Sequence, residues 1–141
     1  MTRSEITTML LKRQLHWAAH DSAALAGAHS EDGVVQSPIF GTVTGRLEIE
    51  KTYIRLFEVF ADWTFDTDDI IVDGERVVQV FHVKASHTSE LFGLAATGRR
   101  FEINGALLLT FKDGLIAKER RLYDFTSMLL QLGVLKAKPA T

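Results

Sequence analysis

The residues of this sequence best suited to acid–base chemistry lie near its end, where a predicted strand passes into a short apolar helix. The turn dipeptide Asp113-Gly114 predicts a hairpin, and the unbroken stretch after it predicts a strand that ends at Asp124. Side chains on one face of a strand recur every two residues, so Arg120 and Asp124 are expected to share a face. A carboxylate that an apolar helix shields from water has a raised pKa and can exchange protons near neutral pH.

Two structural roles for Asp124 remain open beside the chemical one. Aspartate is a preferred helix N-cap, because its carboxylate accepts a hydrogen bond from a backbone N–H of the first turn. Alternatively, Asp124 pairs with Arg120 on the shared face. Such a pairing lowers the pKa of a carboxylate, which would favour anion binding or a structural role over acid catalysis.

His87 is the second candidate for chemistry. It lies near the end of a predicted strand, and an imidazole can serve there as a base or a hydrogen-bond donor near neutral pH. The structural alternative is that His87 ties the following loop, residues 91–98, to the sheet.

Four aromatic side chains are candidates for the wall of a ligand pocket, with core packing as the alternative for each. A buried tyrosine hydroxyl or indole N–H needs a hydrogen-bond partner, and a bound ligand can be that partner. The candidates are Trp17, Phe40, Tyr53 and Trp63.

Composition narrows the function classes. The chain has 141 residues, 46% hydrophobic and 24% charged, which predicts one soluble domain with a core. A formal net charge of −2 gives no field that would attract nucleic acid or an anionic membrane. No apolar run is long enough to span a membrane. The absence of cysteine excludes disulfides and thiol chemistry and favours a cytoplasmic location.

No metal or cofactor site is predicted. His16 and His20 lie four residues apart on a predicted helix, the spacing of two zinc ligands, but the sequence indicates no third ligand. It contains neither a phosphate-binding glycine loop nor a nucleophile elbow.

The order of the elements predicts the fold class. Hydrophobic periodicity indicates helices over 4–19, 22–29 and 46–62, strands over 34–40, 63–72, 76–87, 100–111 and 115–124, and a short helix ending near Gly133. Residues 41–45 are predicted to form a loop. The pattern is typical of an α+β fold, with a curved, mainly antiparallel sheet under about three helices from the first half and a short C-terminal helix. The core spans about 6–133, the tail 134–141 is expected to be loose, and the curved sheet leaves a cone-shaped cavity for a small ligand.

Several short motifs are moderately specific through their order and spacing. They are Asp32-Gly33-Val34-Val35, Gly41…Gly45-Arg46, Asp73-Gly74-Glu75-Arg76-Val77-Val78, His87 with Glu90-Leu91-Phe92-Gly93, Thr97-Gly98-Arg99-Arg100, Asp113-Gly114-Leu115-Ile116, Asp124, and Gln131-Leu132-Gly133. Over about 6–133 the chain resembles SnoaL-like polyketide cyclases and ester cyclase-like proteins of the nuclear transport factor 2-like superfamily.

The resemblance implies a bent sheet wrapped by helices into a cone, and a homodimer formed through the outer face of the sheet. It also implies an intramolecular aldol closure, without metal or nucleotide, on an apolar polyketide-like substrate. In these cyclases a carboxylate at the end of the last strand acts as acid or base, and Asp124 matches that position.

In the cyclases the carboxylate is paired with a histidine on the neighbouring strand. The corresponding strand of this sequence, 100–111, contains no histidine. Asn104 on that strand can donate a hydrogen bond to an enolate but cannot exchange protons. An epoxide hydrolase of this fold would need two carboxylates and an arginine. Arg120 and Asp124 supply one of each, and a second carboxylate is not evident.

Three functions follow as hypotheses. The first is a cofactor-independent cyclase, isomerase or hydrolase, with Asp124 and His87 as catalytic residues. The second is a module that binds an apolar molecule without chemistry, and the third is a dimeric scaffold with a filled cone. Fold alone does not choose among them.

Overall fold

The helices of the first half pack on one face of a single sheet. The computed structural model describes residues 1–136 and 138. Over these residues the helices are α1 (Arg3–Ala18), α2 (Ser22–Gly27), α3 (Arg46–Val59) and α4 (Phe125–Leu132). The strands are β1 (His29–Ser37), β2 (Gly41–Thr44), β3 (Thr64–Asp73), β4 (Arg76–Ser86), β5 (Arg100–Lys112) and β6 (Leu115–Tyr123).

The sheet has the strand order β2-β1-β6-β5-β4-β3. Strands β3 to β6 form the antiparallel meander that the sequence predicts, and β1 joins β6 as a parallel neighbour. The α+β class and the curved, mainly antiparallel sheet are therefore confirmed, with one parallel pair added.

The predicted loop at residues 41–45 is wrong. Residues 41–44 form β2, which pairs antiparallel with β1 through Val35–Val43 and its neighbours. The segment is short and flanked by glycines, so its sequence gives only a weak strand signal. Pairing with β1 and the packing of Val43 against the core stabilise the strand nevertheless. The first strand also begins earlier than predicted, at His29, so α2 ends at Gly27.

Amphipathic periodicity explains α1. The buried positions are Ile6, Leu10, Arg13 and Trp17, which recur every three or four residues on one helix face. Thr2 rather than Ser4 caps the helix: its side chain accepts from the backbone of Glu5, and the Glu5 carboxylate accepts from the backbone of Thr2. An arginine therefore occupies a core position of an otherwise apolar stripe.

A bulge in β6 decides which side chains face the core. Thr110 of β5 pairs with Lys118, whereas the next residue, Phe111, pairs with Ile116, so β6 carries one extra residue. Beyond this point Glu119 and Arg121 are buried and Arg120 is exposed. Arg121, and not Arg120, therefore points inward, because one inserted residue moves every later side chain to the opposite face.

A glycine makes room beside the core face of the sheet. A Cβ on Gly105 would lie 2.5 Å from the Leu122 carbonyl oxygen and 2.5 Å from the ring of Phe81. Gly105 pairs with Phe81 across β4 and β5, so the missing side chain lets that ring lie flat against the strand.

The predicted loose tail, 134–141, lies partly outside the described residues. Within residues 1–136 and 138, no helix has the length and apolar character needed to cross a membrane.

Candidate functional site

An apolar cavity lies between the helices and the concave face of the sheet. Its volume is about 20 Å³, which is room for about one water molecule as the side chains stand, so a larger ligand requires the side chains of the wall to move. Most of its wall is aromatic or aliphatic, with Trp17, Phe40, Trp63, Phe81, Ile103 and Leu107 among the lining residues. Ser37, Arg121 and Tyr123 supply its polar groups. Such an apolar space with few polar groups is typical of small-molecule sites.

Stacked rings build one wall of this cavity. The ring of Trp17 stacks on Phe65 at 4.5 Å between centroids, and on Trp63 at 6.4 Å. Phe65 in turn stacks on Phe81 at 5.1 Å. The wall is therefore a continuous aromatic surface, which fits flat, apolar molecules.

A buried polar cluster stands behind the cavity. It consists of Arg13 from α1, His29 from β1, Tyr53 from α3, and Glu119 and Arg121 from β6. Arg121 belongs both to this cluster and to the cavity wall. The cluster thus joins four elements that are distant in sequence, and it meets the cavity at one guanidinium group.

Glu119 holds the two arginines of the buried cluster. Its Oε1 accepts from Nη2 of Arg13 at 2.5 Å, and its Oε2 accepts from Nε of Arg121 at 2.6 Å. Burial raises the pKa of Glu119, but the guanidinium groups of Arg13 and Arg121 outweigh it and hold that pKa well below its usual range. Glu119 is therefore a fixed anion that orients Arg121.

Tyr53 and His29 complete the buried cluster as neutral groups. Nη2 of Arg13 donates to the Tyr53 hydroxyl at 2.8 Å, which leaves the hydroxyl proton for Nε2 of His29 at 3.2 Å. Burial raises the pKa of Tyr53 and lowers the pKa of His29 to about 3. We assign the proton of His29 to Nδ1, since Nε2 accepts from the hydroxyl.

Three N–H groups of the cavity wall have no hydrogen-bond partner in the described part of the chain. They are Nη2 of Arg121 and the indole nitrogens of Trp17 and Trp63. Buried polar groups in native proteins are nearly always paired, so these three donors are the unsatisfied polar atoms of the side chains that line the cavity.

A comparison of the sequence with protein families identifies the family of this chain. The sequence matches the family model for SnoaL-like polyketide cyclases over residues 8–132. The chain belongs to the SnoaL-like polyketide cyclase family. No curated protein is significantly similar to it in sequence.

Solved structures share the fold of this SnoaL-like chain at low sequence identity. TsrD from Streptomyces laurentii is 20% identical with a TM-score of 0.84, covering 96% of this chain and 99% of its own. AclR from Streptomyces galilaeus, a proposed hydroxylase, is 23% identical with a TM-score of 0.82, covering 96% and 100%. A protein with a ketosteroid isomerase-like fold from Catenulispora acidiphila is 20% identical with a TM-score of 0.74, covering 94% and 95%. The predicted family and fold are therefore confirmed, and family membership supports a small-molecule enzyme.

The structure brings together three of the aromatic residues that the sequence singles out in this SnoaL-like chain. Trp17, Phe40 and Trp63 all line the cavity. Tyr53 lies behind the wall, where Arg13 and His29 satisfy its hydroxyl.

Asp124 lies outside the cavity. Its side chain is exposed and accepts a hydrogen bond from the backbone N–H of Ser127 at 2.9 Å, as the N-cap of α4. Arg120, the expected neighbour on its face, is exposed on the opposite side of β6 from Glu119 and Arg121. The positions favour the capping interpretation, and the catalytic role of Asp124 stays an untested prediction.

His87 and Asn104 also lie away from the cavity wall. His87 is buried, its Nδ1 lies 3.2 Å from the Thr97 hydroxyl, and its backbone bonds Gly98 and Arg99, so it ties the loop to the sheet. Asn104 is exposed on the outer face of β5 and lies 2.6 Å from Nδ1 of His82. The structural interpretation of His87 fits these contacts.

Sequence reasoning missed Arg13, His29 and Glu119, and it selected Arg120 rather than its neighbour Arg121. One signal was present: Arg13 stands in the apolar stripe of α1, between Leu10 and Trp17, where a charge requires a buried partner. No comparable signal marks Glu119, whose burial depends on the bulge in β6.

Nothing in the described chain forms a metal site. Residues 1–136 and 138 contain no group of three or more histidine, aspartate or glutamate side chains placed to hold a metal ion.

Proposed function

We propose that this chain is a cofactor-independent enzyme of the cyclase or isomerase type, which promotes enolisation of an apolar, polyketide-like carbonyl compound. The observation that supports the proposal is the position of Arg121, which lines an otherwise apolar cavity and whose buried Nη2 has no partner in the described chain. A charged donor in apolar surroundings stabilises an oxyanion more strongly than the same donor in water.

In this proposal Arg121 receives the carbonyl oxygen of the substrate. When the α-carbon loses its proton, negative charge develops on that oxygen, and its hydrogen bond to the guanidinium becomes charge-assisted. Glu119 fixes Arg121 through the 2.6 Å bond to Nε, so the donor needs no reorganisation as the charge forms. The enolate is thus bound more tightly than the ketone, which is the condition for catalysis.

The proton leaves the α-carbon for solvent or buffer. Among the described lining residues none carries a carboxylate or an imidazole, and Tyr123 is the titratable group beside Arg121. Burial raises the pKa of Tyr123, so its hydroxyl stays protonated and serves as a donor. This replaces Asp124 as the centre of the proposed chemistry.

Deuterium exchange into 2-tetralone, an apolar bicyclic ketone, tests the proposal. We expect the wild type to accelerate loss of the C1 proton signal in D₂O, followed by ¹H NMR. Arg121→Met removes the donor and should lower this rate about 100-fold. Arg120→Met, which changes the exposed arginine next in sequence, should keep the wild-type rate.

Two results would overturn the proposal. One is a wild-type rate no higher than that of buffer. The other is equal loss of rate in Arg121→Met and Arg120→Met, which would show that position 121 has no special part in the chemistry.

Non-catalytic binding is the second candidate. The observation that favours it is the lack of a carboxylate or imidazole among the described residues of the wall. Binding of 2-tetralone without proton exchange would support this alternative. No observation favours epoxide hydrolysis. That reaction needs a carboxylate to activate water, and both oxygens of Glu119 already accept hydrogen bonds from arginines.

A further inference from the structure

We infer that the cavity holds its ligand most tightly as an anion, either a phenolate or the enolate that the proposed enolisation generates, with the charged oxygen in contact with Arg121. The inference rests on the proposed function in taking the cavity as the substrate site. It goes further by naming the substrate class: a flat, apolar ring system that carries a conjugated, ionisable oxygen.

The first argument is the charge balance of the buried cluster. Arg13 and Arg121 are both cations, and each makes its ion pair with the same carboxylate, Glu119. His29 and Tyr53 are neutral, since burial lowers the pKa of one and raises the pKa of the other. The five groups therefore carry a net charge of +1 between them.

The second argument is that solvent does little to offset this charge. The side chains of Arg13, Glu119 and Arg121 are exposed by only 2%, 0% and 8%. An excess charge at such depth is unfavourable unless an anion compensates it. One monovalent anion at the site would bring the buried cluster to neutrality.

The third argument locates that anion. Both arginines keep buried nitrogens without a partner in the described chain, Nε and Nη1 of Arg13 and Nη2 of Arg121. Both guanidinium groups also lie near the ring of Trp17, at 5.6 Å and 6.0 Å from its centre. Arg121 has one nitrogen bonded to Glu119, and its Nη2, which has no partner in the described chain, belongs to a side chain of the cavity wall. Arg121 lines the cavity and Arg13 does not, so a ligand in the cavity would meet the excess charge at Arg121.

The fourth argument is the chemistry of the wall. Every unpartnered side-chain atom found on the described wall is an N–H donor, from Arg121, Trp17 and Trp63. A wall whose buried unpartnered atoms are all donors matches a ligand that presents acceptor oxygens. The stacked rings of Trp17, Phe65 and Phe81 favour an aromatic or conjugated body over a small inorganic anion, which would leave the apolar surface unfilled.

The bound pKa of 4-nitrophenol tests this inference. The phenol and the phenolate absorb at different wavelengths, so a spectroscopic pH titration with excess protein gives the pKa of the bound ligand directly. We expect the wild type to lower that pKa by at least about one unit, equivalent to a tenfold preference for the anion over the phenol. 4-Nitroanisole, which cannot ionise, should bind at least about tenfold more weakly than the phenolate.

Arg121→Met should abolish the pKa shift, whereas Arg120→Met should preserve it. Near-UV circular dichroism establishes that each variant is folded. If Arg121→Met does not fold, Arg121→Lys, which keeps the positive charge, takes its place and should retain a shift in the same direction. An unshifted or raised pKa in the wild type, no binding of 4-nitrophenol, or equal affinity for 4-nitroanisole and the phenolate would overturn the inference.

The two proposals fail in different ways. A lowered ligand pKa without proton exchange into 2-tetralone would leave the anion site standing and overturn the enolisation function. Exchange into 2-tetralone without any pKa shift of 4-nitrophenol would support the enolisation function and overturn the anion site.

Discussion

At the scale of single residues, burial and ion pairing together fix the protonation state of the groups in the cluster. Glu119 is held as an anion by two guanidinium groups, while desolvation keeps His29 and Tyr53 neutral. No member is free to exchange protons near neutral pH on this account. The cluster therefore acts through fixed charge and hydrogen bonding, which suits oxyanion stabilisation better than proton transfer.

The neutral state of His29 predicts acid sensitivity of the fold. An unfolded histidine takes up a proton as the pH falls below about 6.5, whereas folded His29 stays neutral down to about pH 3. Between these values the unfolded state binds more protons, so acidification destabilises the folded state. We expect this group alone to lower the free energy of unfolding by about 2 kcal/mol between pH 7.5 and pH 5.

Urea denaturation at the two pH values measures the effect. His29→Gln, which can still accept from Tyr53, should reduce the loss of stability on acidification by about 2 kcal/mol. His16→Gln, a change outside the buried cluster, serves as the control and should behave as the wild type. Identical pH dependence of His29→Gln and wild type would contradict the assignment.

At the scale of elements, two local devices determine the site. The bulge in β6 turns Glu119 and Arg121 inward, and the Asp124 cap starts α4 directly after that strand. α4 then covers the sheet with Met128 and Leu132 and ends at Gly133, which has the left-handed φ of 77°. The bulge orients the side chains of the site, and the cap fixes the start of the helix that packs beside it.

Variants of Asp124 distinguish the cap from a catalytic acid. Asn caps helices about as well as Asp, so Asp124→Asn should match the wild type both in stability and in proton exchange into 2-tetralone. Asp124→Ala lacks the cap and should lower the free energy of unfolding by about 1 kcal/mol. Thermal denaturation and the NMR exchange assay provide the two readouts. Loss of exchange in a stable Asp124→Asn variant would instead establish Asp124 as a catalytic residue.

At the scale of the whole molecule, the sheet has a second apolar surface away from the cavity. We name this surface the outer strip; it consists of Ile71, Val78, Val80, Leu108 and Leu122. Ile71 is 56% exposed and Leu122 is 42% exposed. Exposed apolar patches of this kind are typical of protein–protein contacts.

We therefore expect a homodimer formed through the outer strip. Sedimentation velocity should show a dimer for the wild type and a monomer for Val78→Asp. The cross-strand partners of Val78 are Ile71 and Leu108, so the new carboxylate would have no counter-charge directly opposite it in the interface. Leu11→Asp, which changes an exposed leucine on α1, is the matched control and should remain dimeric. A monomeric wild type, or equal dissociation of both variants, would contradict the dimer.

The sequence by itself determined most of the elements, the fold class and part of the cavity wall. Helical and strand periodicity depend on neighbours within a few residues, so α1, α3 and the meander β3 to β6 could be placed from the sequence. Trp17, Phe40 and Trp63 were identified for the same reason, since large aromatic residues on helix and strand faces are buried in most folds.

Only the tertiary structure decided which polar groups meet. The bulge in β6 arises from the pairing of that strand with β5, and it exchanges Arg120 for Glu119 and Arg121 on the inward face. The cluster then joins Arg13, His29, Tyr53 and Glu119, which are up to 106 positions apart along the chain. No local pattern encodes contacts over that distance, because each partner is chosen by packing of whole elements and by the need to pair a buried charge.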